Sequence, residues 1–334
     1  MKRGFFQPRS LVAGLIVVGL AGCGGNQDAL HPASGAERSI ADLWWVMLIG
    51  SAIGFGSVLF LLVLGWRRRG RKTTPPSNAK LETTLVVTLG VGIPVVVLLS
   101  LFVYSDVFVM RSTAAPTPGS TRMTIDVIGH DWWWEVRYPG TPVVTANEIH
   151  IPVGSAVNVV GTTADVIHSF WVPQLNRKID LIPGRTNRVL LEADRPGRFR
   201  GQCSEFCGLQ HAHMAVLVIA EPPARFRAWL ANQEKPARPP ATGEERLGLR
   251  LFQTQACAGC HTIRGTTARG TIGPDLTHLA SRGTLAALTL PNTPAALRSW
   301  ITDPDHAKPG VKMPALPLTG SQLDALTAYL GSLR

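Results

Sequence analysis

The chain has 334 residues, enough for two folded domains together with membrane segments. With 45% hydrophobic residues and a mean hydropathy of +0.14, it is more apolar than most soluble proteins, so membrane spans are sought first. The net charge of +11 would suit a nucleic-acid binder, but the basic residues form no interleaved patch, and residues 120–220 hold nine acidic and nine basic side chains. Nucleic acid is therefore not an expected partner.

Residues 1–22 have the composition of a secretory signal. Three basic residues precede the apolar stretch 11–20, and small residues lead up to Cys23. The ending Leu-Ala-Gly-Cys resembles a bacterial lipobox, which implies cleavage before Cys23 and acylation of its thiol. An ordinary signal followed by a chance cysteine is the alternative. Both interpretations place the mature N-terminus outside the cytoplasm.

Two long apolar runs follow, and they predict a transmembrane helical hairpin over residues 40–110. The run 43–66 carries no charge and is long enough to cross the ~30 Å hydrocarbon core of a bilayer. A group of basic residues after it favours the cytoplasmic side for the turn. The run 83–104 returns the chain outward, and Pro94 within it is expected to kink the helix without ending it.

Beyond a linker at 114–119, short β-branched segments separated by Pro-Gly pairs predict a β-sandwich over residues 120–221. The expected strands are 123–128, 134–138, 148–153, 156–160, 166–172, 188–191 and 214–219. Three consecutive tryptophans begin at Trp132. Because side chains alternate across a strand, the three cannot all face one core. At least one is expected to be exposed or to lie against a partner subunit or lipid headgroups.

A cluster of soft metal ligands lies near the end of this region. Cys203, Cys207, His211 and Met214 follow the spacing C-x3-C-x3-H-x2-M, and His168 lies upstream on an expected strand. Thiolate, imidazole and thioether donors together select copper over magnesium or calcium, and the methionine disfavours zinc. The alternative is a disulfide between the two cysteines.

A polar, proline-bearing linker at 232–242 separates a last predicted domain, 243–334. This domain contains Cys257, Cys260 and His261 in the C-x-x-C-H signature of covalent c-type haem. The two thiols add to the haem vinyl groups, and the adjacent histidine is then placed to bind the iron. The sequence therefore predicts one haem c.

The expected sixth ligand of the iron is Met313, the only methionine after Met214. A second histidine, His278 or His306, and a five-coordinate iron are the alternatives. The final helix carries leucines at 323, 326 and 330, an i, i+3, i+7 stripe that resembles the last helix of a small cytochrome c.

Taken together, these motifs closely resemble cytochrome c oxidase subunit II of the bacterial caa type, which has a fused C-terminal cytochrome c domain. The resemblance implies a two-helix transmembrane hairpin, an all-β cupredoxin-like sandwich and an all-α class I cytochrome c domain. It also implies a dicopper CuA centre in which the two cysteines bridge both coppers. The implied copper ligands are His168, Cys203, the backbone carbonyl of Glu205, Cys207, His211 and Met214.

The same resemblance assigns roles to three other side chains. Trp132 is the implied first acceptor of electrons on the way to copper. The carboxylate of Glu205 is implied to bind a magnesium ion at the interface with subunit I. Glu82 is implied to stand at the entrance of a proton pathway, although a helix N-terminal acid that satisfies the helix dipole explains it equally well. Leu85 replaces the tryptophan usual in that family.

The function implied by the resemblance is electron transfer from haem c to CuA and on to haem a of subunit I, where oxygen is reduced to water and protons are pumped. The expected partners are subunit I, subunit III, membrane lipid, and a cytochrome c or another respiratory complex as donor. The expected location is the bacterial inner membrane, crossed more than once, with both redox domains on the periplasmic face.

Three other kinds of protein share some of these features. A quinol oxidase subunit II lacks the copper ligands present here. A thioredoxin-like copper chaperone has its histidine downstream and no haem domain. The CuA-bearing small subunit of a nitric oxide reductase is the closest rival, because the terminal acceptor is bound by a partner and not by this chain.

Overall fold

The computed structural model describes residues 25–69, 78–117 and 119–334. Along the chain, two long helices are followed by a two-sheet β-sandwich and then by a small helical domain. This order confirms the predicted fold class. Cys23 and the predicted signal segment lie outside the described residues.

Helices α1 (Gly35–Arg68) and α2 (Ala79–Met110) are each long and apolar enough to cross a membrane. Their N-terminal caps are Ser34 and Asn78, whose side chains accept a hydrogen bond from a backbone N–H of the first turn. Helix α2 continues through Pro94, where a π-helical turn immediately precedes the segment that contains the proline. The apolar faces of both helices are exposed in the isolated chain, as expected for segments that meet lipid.

Ten strands, numbered in chain order, form two five-stranded sheets. The first sheet contains β1 (Met123–His130), β2 (Trp133–Arg137), β3 (Val144–Ala146), β5 (Val157–Thr163) and β8 (Asn187–Leu191). The second contains β4 (Glu148–Pro152), β6 (His168–Trp171), β7 (Ile179–Leu181), β9 (Gly197–Cys203) and β10 (Ala215–Glu221). The strand orders are β3-β2-β1-β5-β8 and β4-β10-β9-β6-β7.

The two sheets share one apolar core. In β1, Ile125 and Val127 are buried while their neighbours are half-buried, the period of two expected of a strand with one face in a core. Trp134 of the first sheet and Phe170 of the second pack edge to face, with ring centroids 5.8 Å apart. Aromatic contacts of this kind join the sheets just below the cysteine loop.

In the sandwich, the structure adds three strands and a helix to those predicted. Strands β3 and β7 have only three residues each, too few to show a period. Strand β9 was missed because Arg198 and Arg200 alternate with its buried residues and make it look polar. Helix α3 (Pro223–Gln233) starts at a proline and packs on the sandwich, where Trp229 stacks on His150 with ring centroids 4.0 Å apart.

The C-terminal domain is helical except for a two-residue hairpin, β11 (Thr284–Leu285) with β12 (Leu290–Pro291). Its helices are α4 (Gly243–Thr254), α5 (Cys257–Cys260), α6 (Pro294–Thr302), α7 (Pro304–Ala307) and α8 (Gly320–Gly331). Helices α4 and α8 cross at Gly248, where a Cβ atom would lie 2.1 Å from the carbonyl oxygen of Ala325. The predicted leucine stripe of α8 is buried in the core of this domain.

The segment predicted as a linker is bound to the C-terminal domain. The backbone N–H of Ala237 donates to the carbonyl of Arg264 at 2.9 Å. The carbonyl of Lys235 lies 2.9 Å from Nε2 of the buried His278. The chain therefore passes from α3, which belongs to the sandwich, almost directly into contacts with the last domain.

Candidate metal and haem sites

The four predicted ligands that follow β9 converge on the end of that strand. The Sγ atoms of Cys203 and Cys207 lie 3.7 Å apart. Sγ of Cys207 is 3.7 Å from Nδ1 of His211 and 3.8 Å from Sδ of Met214. The backbone oxygen of Glu205 lies 3.2 Å from Sγ of Cys203. Local sequence places these groups together, because one loop and a short 3-10 turn carry them all.

His168 joins this cluster from the neighbouring strand β6. Its Nδ1 is 3.9 Å from Sγ of Cys203, and its side chain is fully buried. Strand β6 pairs with β9 so that Phe170 lies opposite Cys203, which brings the start of β6 beside the cysteine loop. Gly129 on β1 leaves room for the imidazole, since a Cβ there would lie 2.6 Å from the ring.

The separations fit a metal centre and not a disulfide. A disulfide requires an S–S distance of about 2.05 Å, and both cysteines are free thiols. Two sulfurs bound to one metal at about 2.3 Å with a tetrahedral angle lie roughly 3.8 Å apart, close to the spacing observed here. The donors are sulfur and imidazole nitrogen in a buried pocket, which suits copper.

Asp165 orients His168 and was not identified from the sequence. Its Oδ1 lies 2.9 Å from Nε2 of the histidine, so Nε2 carries the proton and Nδ1 faces the sulfurs. Burial alone would lower the pKa of His168, but the bond to Asp165 and the Cys203 thiolate raise it to about 9. Burial likewise opposes ionisation of Asp165, yet the bonds from His168 and two backbone N–H groups lower its pKa to about 2.

The two thiols share their protons unequally. Contact with the thiol of Cys207, supported by His168, lowers the pKa of the Cys203 thiol. The same contact and burial raise the pKa of Cys207. Because the thiolate is the form that binds metal, the pair offers one ionised sulfur at once and releases the second proton as metal binds.

The C-x-x-C-H residues line a cavity of about 230 Å³ in the C-terminal domain. Cys257 and Cys260 lie at its wall. Nδ1 of His261 lies 2.8 Å from the carbonyl oxygen of Pro274, which leaves Nε2 available as an iron ligand. Burial lowers the pKa of His261 and so favours the neutral, ligating ring. A Cβ at Gly273 would lie 2.5 Å from this ring, so only glycine at position 273 lets the loop approach the histidine this closely.

Met313 also lines this cavity, whereas the two alternative histidines do not. His278 is buried beside the chain that enters the domain, and His306 is exposed at α7. The donors that converge on the cavity are therefore an imidazole, a thioether and two thiols. This set matches the chemistry of a covalent haem with one histidine and one methionine.

The tryptophan triplet joins the two sites. Trp132 and Trp134 are buried, and Trp133 is half-buried and stacked on His130 with ring centroids 4.3 Å apart. The indole Nε1 of Trp132 donates to the carbonyl of Cys207 at 2.8 Å, and the same residue lines the haem cavity. Trp132 thus contacts the cysteine loop and the cavity at the same time.

Two other predicted residues lie away from these contacts. Glu82 is exposed in the first turn of α2, next to the cap formed by Asn78. The side chain of Glu205 is exposed beside Phe206, of which 76% is accessible. Both side chains are free to meet another subunit or the solvent.

Known proteins are similar to this chain over both its sandwich and its C-terminal domain. A family model described as cytochrome C oxidase subunit II, periplasmic domain, matches residues 142–221, and one described as cytochrome c matches residues 246–334. The cytochrome c oxidase subunit 2 of Alkalihalophilus pseudofirmus is 33% identical, with 98% of this chain and 97% of the relative covered. That of Bacillus sp. (strain PS3) is 28% identical, with 96% of each chain covered. Among solved structures, the periplasmic domain of subunit II of the Bradyrhizobium japonicum cytochrome oxidase is 32% identical, covering 36% of this chain and 96% of that one, with a TM-score of 0.34.

Proposed function

Because this chain belongs to the cytochrome c oxidase subunit 2 family, we propose that it carries electrons from a covalent haem c to a dicopper centre and on to haem a of subunit I. It is a membrane-anchored component of a cytochrome c oxidase and a partner of subunit I, with copper and haem as its cofactors. Oxygen reduction in subunit I, coupled to proton pumping, is the proposed final use of the electrons. The family favours this over nitric oxide reduction.

The copper ligands we propose are the six groups that converge at the end of β9. Cys203 and Cys207 would hold the copper ions through their thiolates, and the copper would supply one-electron transfer. The protein's part is to hold the donors still: β6 and β9 pair beside the site, and Asp165 fixes the ring of His168. Rigid ligands keep the rearrangement on electron transfer small. For the haem we propose attachment through Cys257 and Cys260, with His261 and Met313 on the iron.

The observation that carries the proposal is the position of Trp132. Its indole is hydrogen-bonded to the backbone of Cys207, and its side chain lines the cavity that we assign to haem. A single buried aromatic residue therefore adjoins both redox sites. This supports a direct route between them, with Trp132 as the first acceptor.

Other parts of the proposal rest on the family. We propose magnesium binding by the carboxylate of Glu205 at the subunit I interface, and a proton-pathway entrance at Glu82. A diacylglyceryl group on Cys23, contact with subunit III and a cytochrome c-like external donor belong to the same proposal. We assign 1–22 to the signal, 40–110 to the membrane hairpin, 120–221 to the copper domain and 243–334 to the cytochrome domain, joined through 232–242.

The test is the rate of electron transfer from haem to copper in the assembled oxidase carrying Trp132→Ala. We expect haem and copper absorption to be retained and the transfer measured by flash photolysis to be much slower. Trp229→Ala is the matched control, because that ring stacks on His150 and does not line the haem cavity. Equal rates in the Trp132 variant and the wild type would reduce the tryptophan to a packing residue.

A further inference from the structure

The cytochrome domain is docked on the copper domain through polar contacts on two sides of the haem cavity. On one side, Nζ of Lys308 donates to the carbonyl oxygens of Trp132 at 2.9 Å and His213 at 3.0 Å. On the other, the carboxylate of Glu148 accepts from the backbone N–H of Gly283 at 2.8 Å. Contacts at both ends of the interface define one orientation of the two domains.

Lys308 is the unusual member of this interface. It is 2% exposed, and no carboxylate of the described chain forms an ion pair with it. Burial lowers its pKa to about 8, which still leaves the ammonium mostly charged at neutral pH. A buried charge without a counter-charge is costly. Lys312, four residues further on, shows the ordinary alternative: it is exposed and pairs with Asp131 at 2.9 Å.

The two carbonyls that Lys308 binds belong to the redox machinery of the partner domain. Trp132 is the residue whose indole is hydrogen-bonded to Cys207. His213 lies in the 3-10 turn between the proposed ligands His211 and Met214. One ammonium group of the cytochrome domain therefore holds both the tryptophan and the ligand-bearing turn by their backbones. Contacts anywhere on the interface would be enough to hold the two domains together, so the position of these two contacts suggests a role beyond holding the domains together.

We infer that Lys308 is a positioning residue for electron transfer, which fixes the haem domain against the backbone of Trp132 and the copper loop and keeps a positive charge beside the copper centre. This inference rests on the proposed function. A nearby positive charge stabilises the reduced state of a metal centre, because reduction adds negative charge. Removing the charge should therefore lower the copper potential in addition to loosening the docking.

The docked arrangement is tested first in the wild-type oxidase with a zero-length carbodiimide cross-linker. Asp131 and Lys312 belong to different domains and their charged atoms are 2.9 Å apart, so an amide bond should form between them and be found by mass spectrometry. Absence of this cross-link in the wild-type complex would overturn the inference without any variant.

The charge is tested with Lys308→Met, which keeps most of the side-chain volume. We expect less Asp131–Lys312 cross-link, a lower copper midpoint potential in redox titration and slower transfer from haem to copper. Lys235→Met is the control for potential and rate, since it removes an exposed lysine that does not line the haem cavity. If the methionine variant fails to assemble, Lys308→Gln removes the charge while keeping an N–H donor, and the copper potential should again fall.

The results separate this inference from the proposed function. An unchanged copper potential in every assembled Lys308 variant, with normal cross-linking, would overturn the role of Lys308 while wild-type haem-to-copper transfer upholds the function. Absence of that transfer in the wild type, with the potential still dependent on Lys308, would instead overturn the proposed route and leave the docking and charge effect of Lys308 in place.

Discussion

The hydrogen bond from His168 to Asp165 makes a sharp prediction about copper affinity. In the wild type, Oδ1 of Asp165 accepts from His168 and from the N–H of Val166, while Oδ2 accepts from the N–H of Asp131 at 2.7 Å. Asp165→Asn replaces one of these oxygens with an NH₂ group. Whichever way the amide turns, a donor then faces a donor.

The expected loss of copper affinity follows from the hydrogen bond that the asparagine cannot accept. Leaving one buried donor unsatisfied costs about 1–3 kcal/mol. Loss of an outer hydrogen bond to a metal-bound histidine typically lowers metal affinity by about 10–100-fold, or roughly 1.4–2.7 kcal/mol. The two ranges agree, so we expect Asp165→Asn to bind copper about 10–100-fold more weakly than the wild type.

Copper affinity can be measured by competition with a chelator of known affinity, with electron paramagnetic resonance reporting whether the remaining centre is still mixed-valent. Asp180→Asn is the matched control, because that aspartate is only half-buried and pairs only loosely with Lys178 at 3.7 Å. Wild-type affinity and an unaltered resonance signal in Asp165→Asn would refute the positioning role of this carboxylate.

Two further predictions concern the cytochrome domain. Met313→Leu keeps an apolar cavity wall but removes the thioether, so the haem midpoint potential should fall in redox titration. His278→Gln should leave the haem potential unchanged. The reverse result would identify the histidine as the iron ligand. Gly248→Ala places a Cβ about 2.1 Å from the carbonyl oxygen of Ala325, so we expect a loss of about 1–3 kcal/mol in thermal or denaturant unfolding followed by haem absorbance. Gly331→Ala, which has open space at the end of the same helix pair, should be nearly neutral, and equal stability of the two variants would contradict the helix-crossing argument.

Much of the candidate copper site could be predicted because its ligands are close in sequence. Cys203 to Met214 occupy one loop, so their spacing already limits which donors can meet. His168 was found from its residue type and its expected strand. Asp165 could not be identified in this way, because an aspartate three residues before a histidine is not a distinctive sequence pattern. Only the folded backbone brings its carboxylate to Nε2 of His168.

The prediction of the fold succeeded for elements with a clear apolar pattern. It failed for elements in which polar residues or prolines interrupt that pattern. The membrane helices follow from the length of their apolar runs, and most sandwich strands follow from short β-branched segments bounded by turn residues. Strand β9 carries arginines on its outer face, and α3 has one proline at its N-cap and another as its first residue. The contact of Lys308 with Trp132 joins residues 176 positions apart, and nothing in the local sequence distinguishes this lysine from an exposed one.

The wall of the haem cavity is built by both domains, since Asp131, Trp132, Trp133 and Asn147 of the sandwich line it together with the cytochrome residues. Separation of the domains would expose that side of the haem to water, and solvent exposure is one of the factors that set the potential of a haem iron. Docking and oxidation state are then thermodynamically linked: whatever shift in potential docking produces, a change of oxidation state must alter the docking equilibrium by the same free energy. The interface would thus respond to whether an electron is present, which gives the fused domain a means of adjusting its hold on the copper domain during each turnover.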